Sequence, residues 1–149
     1  MPENLERIGD GAFLHCHALQ SLTLPNSVKH VGMYAFQSCE GLTSLTISEG
    51  LDTISNYAFS KCNKLREITI PHSVAHVGEG AFWNCTYLRT VNIGKNVTTL
   101  DDYAFADNPA ITEINSYAMA PPVLLGDNIF RSCFEMNKYY YLFDFQLVN

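Results

Sequence analysis

The stretch Leu65-Arg66-Glu67-Ile68-Thr69-Ile70-Pro71-His72-Ser73-Val74-Ala75-His76-Val77-Gly78-Glu79-Gly80-Ala81-Phe82-Trp83-Asn84-Cys85-Thr86-Tyr87 contains the pattern from which the rest of the chain is built. Its Ala-Phe pair recurs at Ala12-Phe13, Ala35-Phe36, Ala58-Phe59 and Ala104-Phe105, always at steps of 23 residues. A cysteine follows three residues after Phe at Cys16, Cys39, Cys62 and Cys85, and Asn108 holds that place in the fifth copy. Apolar pairs at alternate positions recur as Leu22/Leu24, Leu45/Ile47, Ile68/Ile70 and Val91/Ile93. Self-similarity at a fixed period is the signature of a repeat array and decides the fold before any local propensity does.

The unit reads L-x-x-[LI]-x-[LI]-P-x-x-V-x-x-[VI]-G-x-x-A-F-x-x-C-x-x. A degenerate sixth copy ends at Ile129-Phe130 and Cys133. There Phe130 lies 25 residues after Phe105, so two residues are inserted, which the reading places near Ala120-Pro121-Pro122. The alternating pair has the period of two that marks a half-buried strand. Stacked copies set those strands side by side in parallel. Pro25 and Pro71 end the strand because proline cannot donate to a sheet. Gly9, Gly32 and Gly78 read as turn positions. The Ala-Phe pair is expected on a short helical or 3₁₀ turn. One unit cannot bury its apolar face alone, but a stack can.

This pattern resembles the BspA-like leucine-rich repeats, the 23-residue class also called the Treponema pallidum type. The resemblance covers about residues 5–133. It implies a right-handed solenoid with a parallel sheet on one face and short 3₁₀ or helical turns and loops on the other. It also implies a cell-surface or secreted protein that binds host or neighbouring-cell proteins, extracellular matrix among them. A structural spacer, or an intracellular scaffold carrying another domain, is the alternative. The expected division is a repeat array over 1–133 and an aromatic tail or cap over 134–149.

Composition narrows the partners. The net charge is −6 and only 16% of residues are charged, so the clustered Lys and Arg that phosphate binding needs are lacking. A nucleic-acid partner is not expected. No run of 18 apolar residues suggests membrane insertion, and the Met1-Pro2-Glu3-Asn4 start carries no basic-then-apolar signal pattern. Six of the sixteen residues in 134–149 are aromatic. That tail reads as a cap on the last repeat, or as an edge that drives homodimerisation.

Candidate chemistry is sparse. The cysteine spacing of 23 lacks the paired ligands of a zinc site. Cys16, Cys39, Cys62 and Cys85, with Asn108 in register, read as a buried free-thiol column under hydrogen-bonding demand. His30 and His76 share a column two repeats apart, about 10 Å at strand spacing, too far to share a metal. Neither His15, His17 nor His72 belongs to a recognisable catalytic pattern. Asp101-Asp102 reads as a solvated turn. No catalytic residue, metal or cofactor is expected.

Two surfaces are left as binding candidates. Residues alternating with the buried pairs should point outward: Ser21, Thr23, Ser44, Thr46, Glu67, Thr69, Thr90, Asn92, Glu113 and Asn115. They form a polar strip that is either a solvated sheet face or a ligand platform. Tyr34, Tyr57 and Tyr103 precede the Ala of Ala-Phe, whereas the fourth copy has Gly80 there and the chain's only tryptophan, Trp83, three residues on. Trp83 reads as filling the space that the missing tyrosine leaves; the alternative is an exposed aromatic anchor.

Overall fold

Alternating apolar residues at Leu22/Leu24 and their repeats form strands because one side of each must leave water while the other stays in it. The computed structural model describes residues 1–133. The aromatic stretch 134–149, expected to be a cap or an edge, lies outside the described residues. Numbered along the chain, the longer strands are β2 (Ser21–Leu24), β4 (Ser44–Ile47), β6 (Glu67–Thr69), β8 (Thr90–Ile93) and β10 (Glu113–Ser116). Between them fall shorter ones: β1 (Arg7–Ile8), β3 (His30–Val31), β5 (Thr53–Ile54), β7 (His76–Val77), β9 (Thr99–Asp101) and β11 (Val123–Leu125). All pairing is parallel and advances one repeat per step, as in Ile68↔Val91↔Ile114. The molecule is a leucine-rich-repeat solenoid.

Two details differ from the expected architecture. The shorter strands make a second, narrower parallel sheet, β5-β7-β9-β11, where loops were expected. The Ala-Phe segments form turns, and among the described residues there is no helix. The reason is visible in their hydrogen bonds. Alternate amides close tight turns, such as Ala35 N–H to Gly32 and Gln37 N–H to Tyr34. The amides between them reach across to the next rung: Tyr34 to Asn56, Phe36 to Ala58, Ser38 to Ser60. A helix would spend every amide within itself and leave the rungs unjoined. The pattern requires a left-handed residue on each side of the Ala-Phe pair. Tyr34, Tyr57, Tyr103 and Gly80 take φ of 55–58° on one side; Ser38, Lys61, Asn84 and Asp107 take 55–57° on the other.

The core is a set of columns. The rings of Phe13, Phe36, Phe59, Phe82, Phe105 and Phe130 stack in sequence with centroids 5.0–5.7 Å apart and planes within 9° of parallel. The four inner rings are fully buried. Beside them, the Sγ of Cys39, Cys62 and Cys85 each donates to the Phe carbonyl of the preceding rung, at 3.3–3.4 Å. Asn108 Nδ2 serves the Phe82 carbonyl at 2.9 Å and that of Phe105 at 2.7 Å. Cysteine and asparagine share the column because both donate there. All five cysteines are free thiols.

Rungs lie close enough to exclude side chains at set places. A Cβ on Gly32 would come within 2.6 Å of the Gly9 carbonyl carbon and 2.5 Å of the Asp10 amide nitrogen. Close approach, not turn geometry, explains Gly32 and Gly78; a Cβ on Gly9, at the end of the column, would meet nothing within 4 Å. The insertion before the last copy divides in two. Leu124 pairs with Leu100, a step of 24, so one extra residue precedes β11 and the second follows it.

The stack makes two measurable demands. Phe82→Ala should cost about 3–5 kcal/mol in urea unfolding, while Leu14→Ala, 41% exposed, should stay within about 0.5 kcal/mol. Asn108→Ala should lose about 1–3 kcal/mol by leaving the buried Phe82 carbonyl without its side-chain donor, and Asn108→Cys should recover most of it. Equal losses for Ala and Cys would refute the donor role.

Candidate functional site

The strand face is built by the outward residues of β2 to β10. Ser21, Thr23, Ser44, Thr46, Glu67, Thr69 and Glu113 are exposed, and Thr90, Asn92 and Asn115 are half-buried. The face is not one continuous strip. The longer-strand sheet separates between β4 and β6, and the shorter one separates one rung earlier, between β3 and β5. Leu45 is half-exposed there, although its counterparts Leu22, Ile68, Val91 and Ile114 are buried. A depression of about 320 Å³ opens at the separation, lined by Thr43, Ser44, Leu45, Arg66, Glu67 and Thr69.

Beyond it the polar residues are joined. Asn92 Nδ2 donates to Glu67 Oε1 at 3.0 Å and to Thr69 Oγ1 at 3.3 Å. Asn115 Nδ2 donates to Asn92 Oδ1 and to Glu113 Oε1, both at 3.0 Å. Amide donors are spent within the network, so the carboxylates of Glu67 and Glu113 leave acceptors facing solvent. On the other side of Thr69 lies a second depression, of about 370 Å³, with His72, Asn92, Gly94 and Tyr117 in its wall. The network and its two flanking depressions are a tertiary result. Sequence reading supplied the residues but not the separation that divides them.

The aromatic column gives a different surface. Tyr34 and Tyr57 stack at 5.4 Å with planes 8° apart, and Gly80 interrupts the column. Trp83 lines an open cavity of about 290 Å³ with Tyr57, Tyr103 and Arg131, so it stands beside the place a tyrosine would fill and leaves part of it empty. Trp83 Nε1 donates to Asp107 Oδ2 at 2.7 Å, and Lys61 Nζ lies 5.2 Å from the Trp83 ring centroid. The signal missed in the sequence is that Gly80 continues the left-handed column that begins at Gly11.

The acidic pair does not form a solvated turn. Asp101 and Asp102 are half-buried. Asp102 Oδ1 accepts from the Asn128 amide at 3.0 Å, joining two rungs. Asp101 Oδ2 lies 3.2 Å from His76 Nε2, and His76 Nδ1 also contacts Thr99 Oγ1. This hydroxyl, imidazole and carboxylate tie β7 to β9 across their outer faces. No cluster of three or more His, Cys, Asp or Glu suited to a metal occurs among the described residues.

The thiols show the reverse of catalytic tuning. Burial pushes Cys39 from 9.0 to about 11 and Cys85 to about 12, and Cys133 likewise rises to about 11. A nucleophilic cysteine needs a lowered value. Tyr57 rises from 10.0 to about 12, chiefly through its hydroxyl's 2.5 Å hydrogen bond to Glu79.

A family model described as the BspA-type leucine-rich repeat region matches residues 1–112 in six copies. The chain belongs to the BspA-type leucine-rich repeats. This BspA-type domain is similar to a leucine-rich cell surface protein of Faecalibacterium prausnitzii, with 29% identity and a TM-score of 0.76 over 78% of the chain. It spans only 31% of that protein's length. The leucine-rich repeat protein of T. pallidum is 26% identical, with a TM-score of 0.67 over 90% of this chain and 75% of that one. The pneumococcal vaccine antigen PcpA shares the fold, at 22% identity and a TM-score of 0.74 over 80% of this chain and 30% of its own. No curated protein matches the chain by sequence. BspA-type repeats form a solenoid scaffold of the interaction type, and no catalytic family is indicated. Among the described residues no helix is long and apolar enough to cross a membrane.

The raised thiols set an alkaline limit on stability. Folding disfavours the thiolate, so the contribution of Cys39, Cys85 and Cys133 is complete below pH 9.0 and is lost as pH rises towards 11–12. The urea midpoint should therefore fall above pH 9, and Cys85→Ala should lessen the fall. A midpoint that stays level to pH 11 would contradict this.

Proposed function

We propose that this domain is a protein-binding module displayed at a bacterial cell surface, and that it engages host or neighbouring-cell proteins through the strand face around Thr69. The observation that carries this reading is the hydrogen-bonded network Glu67–Thr69–Asn92–Asn115–Glu113, set between two depressions. A solvated sheet chosen for β propensity needs no such grouping. Here the polar groups hold one another in fixed positions, which lowers the entropy lost on binding.

The electrostatics indicate what the face accepts. Its amide donors are engaged internally, while Glu67 and Glu113 present carboxylates. A matching partner offers donors: backbone N–H groups, lysine or arginine. The chain's net charge of −6 favours approach of a basic partner at low ionic strength. The cell-surface description of the Faecalibacterium relative supports the location. The ten outward residues from Ser21 to Asn115 are the proposed contact set, with Thr46, Thr69 and Asn92 at its centre. The role of the rest of the protein as spacer or anchor is a separate matter from this face.

Immobilised extracellular matrix proteins and glycans, screened with the full chain, test the proposal. A protein ligand should be found whose affinity falls at least about tenfold, or 1.4 kcal/mol, in each of Thr46→Lys, Thr69→Lys and Asn92→Lys. Met33→Lys, away from this face, should bind as wild type. Unchanged affinity in all three strand-face variants would exclude the face.

A further inference from the structure

We infer that the interruption of the tyrosine column at Gly80 is a binding slot for one planar aromatic ring, supplied by a side chain of a partner protein. Tyr34 and Tyr57 stack at 5.4 Å, and the adjacent Phe59, Phe82 and Phe105 step at 5.5 and 5.6 Å. Tyr57 and Tyr103 are two rungs apart, so the column lacks one ring between them. The open cavity of about 290 Å³ is what is left of that place after Tyr57 leans over Gly80 and Trp83 closes one side.

The surroundings select among ligands. Lys61 and Arg131 already lie 5.2 and 5.1 Å from the ring centroids of Trp83 and Tyr103. A cationic group would meet like charge there, which disfavours an ammonium ligand. A sugar would need free acceptors for its hydroxyls. Glu79 Oε1 accepts from the Tyr57 hydroxyl and Asp107 Oδ2 from Trp83 and Arg131, which leaves one oxygen of each, so the aromatic walls and not a lack of acceptors favour a ring over a sugar. What the slot offers is aromatic walls and a guanidinium, both of which favour an uncharged π-system. Aromatic side chains are also the common anchors of protein interfaces. This slot lies on the Ala-Phe side of the rung and does not depend on the strand-face reading.

The chain supplies its own controls. Tyr34, Tyr57 and Tyr103 hold the φ of Gly80, so Gly80→Tyr suits the backbone; its Cβ would run into Tyr57 Cε1, so the Tyr57 ring must swing aside as the repeat's own ring enters the slot. Tyr103→Gly removes a wall and places glycine at a left-handed position. Trp83 is the chain's only tryptophan, so its indole N–H gives a single resolved signal in an ¹H–¹⁵N spectrum. N-acetyl-tyrosinamide and N-acetyl-phenylalaninamide should shift that signal saturably, in the millimolar range expected of a fragment. N-acetyl-leucinamide and methyl glucoside should not. Gly80→Tyr and Tyr103→Gly should each weaken the effect at least about tenfold while the remaining spectrum stays that of the fold. No saturable shift with the aromatic probes overturns the proposal, as for a slot already closed by a ring of the chain itself. So does an equal shift in both variants, or a shift with the glucoside alone.

Discussion

Every rung of this molecule must repeat at one spacing, close to that of hydrogen-bonded strands, and the Phe rings stack to match it. The Phe rings stack at 5.0–5.7 Å, and between those rings the backbone amides of the Ala-Phe segment reach from rung to rung. This one spacing governs what else is allowed. It forces left-handed backbone at Tyr34, Tyr57 and Tyr103, a conformation that costs a non-glycine residue about 1–2 kcal/mol. The cost is offset because the same geometry directs the amides outward to the neighbouring rung. It also brings the carbonyl of each inner Phe within reach of a donor from the next rung, so that column holds Cys or Asn and not a plain hydrocarbon.

A consequence is that regular columns carry little functional information. A residue that recurs every 23 positions is explained by its neighbours above and below. Function is sought where the repetition departs from itself. Asn108 turned out to be a substitution within the same structural role. The separation of β4 from β6 is a real departure, because it half-exposes Leu45 and opens a depression beside the polar network. Gly80 with Trp83 is another, because it removes one ring from a column of rings.

Most of the fold was legible because stacking acts on single residues at a fixed period. Ala-Phe, the alternating pair and the Cys/Asn column each name a position whose neighbours are copies of itself. The turn conformation was less legible. A pair such as Ala81-Phe82 suits a helix by propensity, but the demand for inter-rung hydrogen bonds overrides propensity. Gly32 was read as a turn former, yet its role is to let another rung pass within van der Waals contact. The pair Asp101-Asp102 looked solvated because its partners, His76 and Asn128, are distant in sequence.

By itself, the sequence determined the repeat, its period, the buried columns and the outward residues of the strand face. All of these follow from periodicity, which needs no knowledge of what lies above or below beyond its being another copy. Only the tertiary structure decided where the sheets part, which polar side chains join into a network, and that the ring position between Tyr57 and Tyr103 stays partly open. Those features arise where successive rungs fail to match. A mismatch between rungs is a property of their contact in space, not of either rung's sequence.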